Sequence, residues 1–241
     1  MAKNMQNKGV IAILGGMGPE ASAKMLEVMV SMATREFGAK DGKDFPEIIV
    51  DSIPVPDFIS NRENEAIALE MLKDRIKRFE GFDISCFTIA CNTAHIMLSN
   101  LESVSTKPFV SMIDAVASET AKEGFQTMGI MATPSTLKSG LYQNALAKFK
   151  IKSVLPTKRQ ISEMERIIRR VISGNTKDAD SKKLARIADS LKGKGAQAII
   201  LGCTELPLIF PKNIPIPVFD SIEITSRALL TKFFEGVGLD V

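Results

Sequence analysis

Two rhythms of apolar and polar residues alternate along the chain. Short, largely apolar runs at 10–14, 48–50, 84–90, 128–131 and 198–201 are too short and too β-branched for helices. They predict buried strands, with briefer ones at 109–110, 154–155 and 218–219. Between them lie longer stretches with a helical period. These predict helices at 21–37, from a cap at Asn61 to about Phe79, and at 93–101, 113–122, 135–149, 161–172, 180–191 and 222–234. Pro19 suits the first helical position, where its missing N–H costs nothing. Strands alternating with helices predict an α/β fold with mainly parallel sheets covered on both faces.

The same landmarks occur twice. Leu14-Gly15-Gly16-Met17 and Met131-Ala132-Thr133-Pro134 each end a strand in a tight turn. Ile89-Ala90-Cys91-Asn92-Thr93 and Leu201-Gly202-Cys203-Thr204 each end a strand in a cysteine. The offsets between the pairs are similar, which points to duplicated α/β halves. Ligands in open α/β sheets bind beyond the carboxyl ends of strands, where all four landmarks lie. Lys107-Pro108 marks a crossing between halves, and the proline-rich segment ending at Pro217 marks the return. The expected domains are therefore 1–108 with 216–241, carrying Cys91, and 109–215, carrying Cys203. The last helix is expected to pack on the first half.

Composition narrows the function. Of 241 residues, 45% are apolar and 24% charged, enough apolar surface for a core. The net charge of +3 is too small to argue for nucleic acid or an anionic membrane surface. No apolar run approaches the roughly 20 residues of a membrane span, and the first is too short for a signal sequence. A cytoplasmic protein is expected. Three cysteines and a single histidine give neither a disulfide framework nor zinc-ligand spacing.

Cys91 and Cys203 carry the candidate chemistry. A thiolate is a competent base once its pKa is lowered, as helix N-termini can do. Taken singly, each reads as a buried small hydrophobe. Their placement at duplicated strand ends, each before a helix-start hydroxyl, favours a paired chemical role. Cys86, in mid-strand, reads as core. His95 reads as a hydrogen-bonding support, and Glu205 as a helix cap or as the group that orients Cys203. Gly16-Met17-Gly18-Pro19-Glu20-Ala21 formally matches a dinucleotide fingerprint. The acidic residue expected about 20 positions on is displaced to Asp51, so a tight turn against a small ligand is the better reading. Arg159, Arg166, Arg169 and Arg170 read as a solvated helix face or an anion clamp.

Three motifs resemble those of the aspartate/glutamate racemase family, most of all its aspartate racemase branch. They are Ile13-Leu14-Gly15-Gly16-Met17-Gly18-Pro19-Glu20, Cys91-Asn92-Thr93-Ala94-His95 and Gly202-Cys203-Thr204-Glu205-Leu206. Ala132-Thr133-Pro134-Ser135-Thr136 and Ser139-Gly140 add support. The resemblance implies two pseudosymmetric three-layer α/β domains with the active site in the cleft between them. It implies an isomerase without pyridoxal phosphate or another cofactor, a small carboxylic-acid substrate such as an amino acid, and a homodimer. Cys91 and Cys203 would be the acid/base pair. Asn92, Thr93, Thr133 and Thr204 would hold the α-carboxylate and ammonium, and Met17 would line the floor.

The chain departs from the aspartate racemase pattern in two places. Phe58 follows Pro56-Asp57 where an arginine is usual, and Ile172 stands before Gly174-Asn175 where a lysine is often found. An unpaired buried distal carboxylate is costly, so these exchanges weigh against aspartate as substrate. Arg62 and Arg169 are the candidates to replace the cations. Two alternatives stay open. One is another reaction of the superfamily, such as hydantoin racemisation, maleate isomerisation or decarboxylation. The other is a binding module that retains the cleft without turnover.

Overall fold

The computed structural model describes residues 9–58 and 63–236. Three parallel strands form the first sheet, in the order β2 (Ile48–Ser52), β1 (Val10–Gly15), β3 (Ile84–Ile89). Four form the second, also parallel, in the order β5 (Lys152–Val154), β4 (Thr127–Ala132), β6 (Ala198–Gly202), β7 (Val218–Asp220). Phe109 adds a single parallel bridge to Phe87 beside β3, so the two sheets repeat one strand order.

β1 and β6 are buried along their whole length, as expected of strands covered on both faces. The alternation of side chains along β1 divides the first core. Val10, Ala12 and Leu14 face Leu72 and Ile76 of α2 (Glu65–Arg78). Ile11 and Ile13 face Met25 and Met29 of α1 (Pro19–Phe37) and Leu229 and Leu230 of a late helix. Cys86 lies in this second layer, 1% exposed, as a core residue.

Local chemistry sets the helix ends that matter for the site. α1 starts with Pro19 in its first turn and stops at Gly38, which adopts φ 75°. A short 3₁₀ turn at Thr93–Met97 leads into α3 (Leu98–Glu102), and α4 (Met112–Lys122) is capped by the Ser111 hydroxyl. The single helix expected at 135–149 is two: α5 (Pro134–Ser139) and α6 (Leu141–Lys148). Gly140 separates them with φ 72°, a left-handed conformation no residue adopts inside a helix. α7 (Lys158–Ile172), α8 (Asp178–Gly193) and α9 (Leu206–Ile209) follow. Asn61 and Arg62 lie outside the described residues, and α2 is preceded by Asn64.

Sheet pairing places the linking residues with one sheet or the other. Phe109 stacks on Phe87 with ring centroids 5.3 Å apart and stays with the first sheet. β7 pairs with β6, and Phe219 meets Phe125 edge-on at 5.5 Å in the second core. The chain thus returns to the first half after Asp220. There α10 (Ser221–Glu235) packs on α1: Phe234 stacks on Phe37, and Arg227 donates to both oxygens of Glu36 at 2.9 and 3.1 Å. Among the described residues no helix is long and apolar enough to cross a membrane.

Candidate active site

Cys91 sits just past the end of β3 and Cys203 just past β6, at equivalent places in the two sheets. They are 3% and 4% exposed, and both are free thiols. The backbone N–H groups of Ala94 and Thr93 face the Cys91 sulfur, as does the Thr93 hydroxyl. The Glu205 N–H faces Cys203. These are the helix-start groups anticipated from the sequence, and their lowering effect on the thiol pKa values is outweighed. Burial, reinforced by the charge of Glu205, pushes Cys91 up to about 12. Burial and the same carboxylate raise Cys203 well above the ordinary thiol range, and the charge of Cys91 adds to this. Desolvation of a thiolate outweighs a few N–H dipoles. The surroundings therefore favour two protonated thiols, which lie within electrostatic reach of each other.

Glu205 bridges the halves. Its Oε2 accepts from Cys203 Sγ at 3.0 Å and from Thr204 Oγ1 at 3.2 Å. Its Oε1 accepts from the Gly18 N–H at 3.1 Å. Burial raises its pKa, and these hydrogen bonds oppose the rise. Glu205 thus holds Cys203 rather than serving only as a helix cap.

The Gly turn is built for close approach. Gly16 has φ 91°, and a Cβ there would lie 2.2 Å from the Ile53 carbonyl oxygen. Its N–H donates to Ser22 Oγ at 3.0 Å, and Ser22 Oγ donates to the Gly18 carbonyl at 3.2 Å. A Cβ on Gly18 would lie 2.9 Å from Glu205 Oε1. The N–H groups that a dinucleotide pyrophosphate would need are committed within the protein, which favours the turn reading.

Three hydroxyls meet between the halves. Thr93 Oγ1 lies 2.9 Å from Thr133 Oγ1 and 3.0 Å from Thr136 Oγ1, and the last two are 2.9 Å apart. Thr133 also caps α5 through the Thr136 N–H. Asn92 bonds within its own half and across to the other: its side-chain NH₂ donates to Ser221 Oγ at the start of α10 at 3.1 Å, and its oxygen accepts from the Tyr142 hydroxyl of α6. His95 touches backbone. Its Nε2 accepts from the Met112 N–H at 3.0 Å, which leaves Nδ1 to donate to the Cys91 carbonyl at 2.9 Å. Burial lowers its pKa to about 4, so it is neutral at pH 7.

A cavity of about 200 Å³ opens beside these groups. Its walls are the turn Gly16 to Pro19, the segment Val55 to Phe58, and Arg169 and Ile172 of α7. Met17 is among the lining residues. Arg169 pairs with Asp57 at 2.9 Å and Glu165 at 3.4 Å. The other arginines do not form a clamp with it: Arg170 pairs with Asp180 at 2.8 Å, and Arg166 donates to the Ser162 carbonyl. Among the described residues, no group of three or more His, Cys, Asp or Glu is placed to hold a metal ion.

Thr136, Tyr142 and Ser221 received no role from the sequence. Thr136 lies in a quoted motif and on the same turn as Thr133. Tyr142 is the single tyrosine of the chain and is fully buried, yet nothing around it in sequence marks its partner.

Known proteins share this architecture. An aspartate racemase from Picrophilus torridus superposes with a TM-score of 0.81 at 30% identity, covering 93% of this chain and 94% of that one. An aspartate racemase homologue from Pyrococcus horikoshii OT3 gives a TM-score of 0.78 at 28% identity, covering 93% and 99%. In sequence, the broad specificity amino-acid racemase of Bacillus subtilis is 19% identical over 225 residues, 93% of this chain and 98% of that protein. The sequence profile of the Asp/Glu/hydantoin racemase family matches residues 14–229, and the chain belongs to that family.

Proposed function

We propose that the protein is a cofactor-independent amino-acid racemase in which Cys91 and Cys203 exchange a proton with the substrate α-carbon from opposite faces. The observation that carries this is the pair of buried thiols at equivalent strand ends of duplicated sheets. Inverting an α-carbon needs a base on one face and an acid on the other, held close and dry. One cysteine, as thiolate, removes the α-proton; the opposite thiol delivers its own. The roles exchange with the handedness of the substrate.

Burial favours the protonated form of both thiols, so one proton must leave before turnover. Glu205 accepts the Cys203 S–H and is the group on hand to take it. A substrate ammonium group adds positive charge and favours the thiolate further. Thr93, Thr133 and Thr204, with Asn92, supply hydrogen bonds to the α-carboxylate and ammonium. The hydroxyls of Thr93, Thr133 and Thr136 hydrogen-bond one another, which limits the cost of burying them. Met17 closes the floor. His95 fixes the Cys91 carbonyl and Glu205 fixes Cys203. The names of the Picrophilus and Bacillus relatives agree with amino-acid racemisation. A dimer of this chain is part of the same reading.

Exchange of the α-proton for deuterium, followed by NMR on both enantiomers of a panel of amino acids, tests the proposal. Wild type should exchange both hands of at least one amino acid. Cys91→Ala and Cys203→Ala should each lose racemisation by roughly 10²–10⁴-fold and retain exchange with one enantiomer only. Racemisation undiminished in either variant would overturn the two-cysteine assignment.

A further inference from the structure

The geometry points to a neutral amino acid with an apolar side chain, of the size of leucine or methionine, as the substrate of this site. The inference rests on the racemase reading and adds the identity of the side chain. Two walls of the cavity are hydrogen-bonded to residues that hold or flank the reacting groups. Gly18, in its wall, donates to the carboxylate that holds Cys203. Phe58, in the opposite wall, accepts at its carbonyl from Ser135, between Thr133 and Thr136. A substrate whose α-carbon lies between the thiols directs its side chain into this space.

The walls decide what fits. Met17, Pro19, Val55, Pro56, Phe58 and Ile172 present apolar surface. Among the described lining residues Arg169 is the cation, and it pairs with two carboxylates, Asp57 and Glu165. Glu205 adds a third carboxylate one residue behind the wall. A distal carboxylate would need to displace Asp57 from Arg169. An aliphatic or thioether side chain would bury apolar surface with no charge to compensate.

The test measures α-proton exchange for both enantiomers of leucine, methionine and aspartate, with thermal stabilisation by each ligand alongside. In wild type, leucine or methionine should exchange with kcat/KM about 10-fold or more above aspartate. Ile172→Lys should narrow or reverse that ratio, because residue 172 is 43% exposed and its ammonium group can point into the cavity wall without being buried. Faster exchange of aspartate by the wild type would overturn the side-chain assignment and leave the racemase reading intact. Exchange of no amino acid would overturn the racemase reading, and binding would then decide the cavity separately. Greater stabilisation by methionine or leucine than by aspartate supports the apolar preference. Equal or greater stabilisation by aspartate, or none by the apolar ligands, overturns it.

Discussion

Glu205 accepts the S–H of Cys203 at 3.0 Å while its second oxygen holds the Gly18 N–H of the opposite half. One buried carboxylate therefore fixes a thiol, keeps it protonated and ties it to the turn that floors the cleft. Its charge also reaches Cys91. Glu205→Gln removes that charge and retains an oxygen for one of the donors. Thiolate formation, followed by ultraviolet absorbance against pH, should move down by about one unit or more for the cysteine pair. Titration curves that superpose would show that burial alone raises both thiols.

The Gly turn separates two kinds of backbone cost. Gly16 and Gly38 both have positive φ, 91° and 75°. A Cβ at Gly16 would meet Ile53 backbone at 2.2 Å, whereas one at Gly38 meets nothing within 4 Å. Gly38→Ala should cost only the left-handed penalty, about 1 kcal/mol. Gly16→Ala adds a backbone overlap that side-chain rotation cannot relieve, and should cost about 3 kcal/mol or more with loss of activity. Urea unfolding of the two variants measures the difference. Equal losses would mean that the turn relaxes freely.

Tyr142 reaches from α6 to Asn92, the residue after Cys91, and the ring packs against Gly202, the residue before Cys203. Both Tyr142 and Asn92 are buried, so Tyr142→Phe leaves the Asn92 oxygen without that donor. The expected cost is about 1–3 kcal/mol of stability. Combined with Asn92→Ala, the losses should fall short of additivity by roughly 0.5–3 kcal/mol, since either change alone already breaks the bond. Additive losses would show that the two residues contribute independently.

The site was legible in the sequence where local chemistry marks it. A cysteine after an apolar run and before a hydroxyl, repeated once, located Cys91 and Cys203 at strand ends. Pro19 located the start of α1. Features set by distant partners left no such trace. The apolar period runs through Gly140 without a break, so a left-handed residue inside an apparently continuous helix was hidden. Val218 read correctly as a strand residue, whereas the strand expected at 109–110 is a single bridge from Phe109, and the sheet each joins depends on which neighbour it meets in space. The thiol pKa values went the other way from the local expectation. Helix-start N–H groups are visible in sequence, whereas full burial and a carboxylate shared with Gly18 are properties of the assembled halves. Phe58 and Ile172 were read together as replacing cations, with Arg169 a candidate substitute, and the fold brings all three to one cavity.

His95 gives the fold a pH dependence of definite sign. Burial lowers its folded pKa to about 4 from the ordinary 6.5. Between those values the unfolded chain binds a proton that the folded chain does not, so stability rises with pH through this window. The contribution is complete above about pH 6.5 and is lost as pH falls towards 4. Its size is about 3 kcal/mol. Asp220 acts in the opposite sense: burial raises its pKa from 3.8 to about 6, and its contribution is lost as pH rises through that range. The two must be separated by difference. Glutamine offers one donor and one acceptor, like the neutral imidazole between the Cys91 carbonyl and the Met112 N–H, and does not titrate. Unfolding free energies of wild type and His95→Gln, measured from pH 4 to 7, should therefore diverge as pH falls, with wild type losing more. Asp220 cancels in that comparison. Parallel curves would mean that His95 titrates alike in the folded and unfolded chains, and that the Cys91 carbonyl is held by something other than a neutral imidazole.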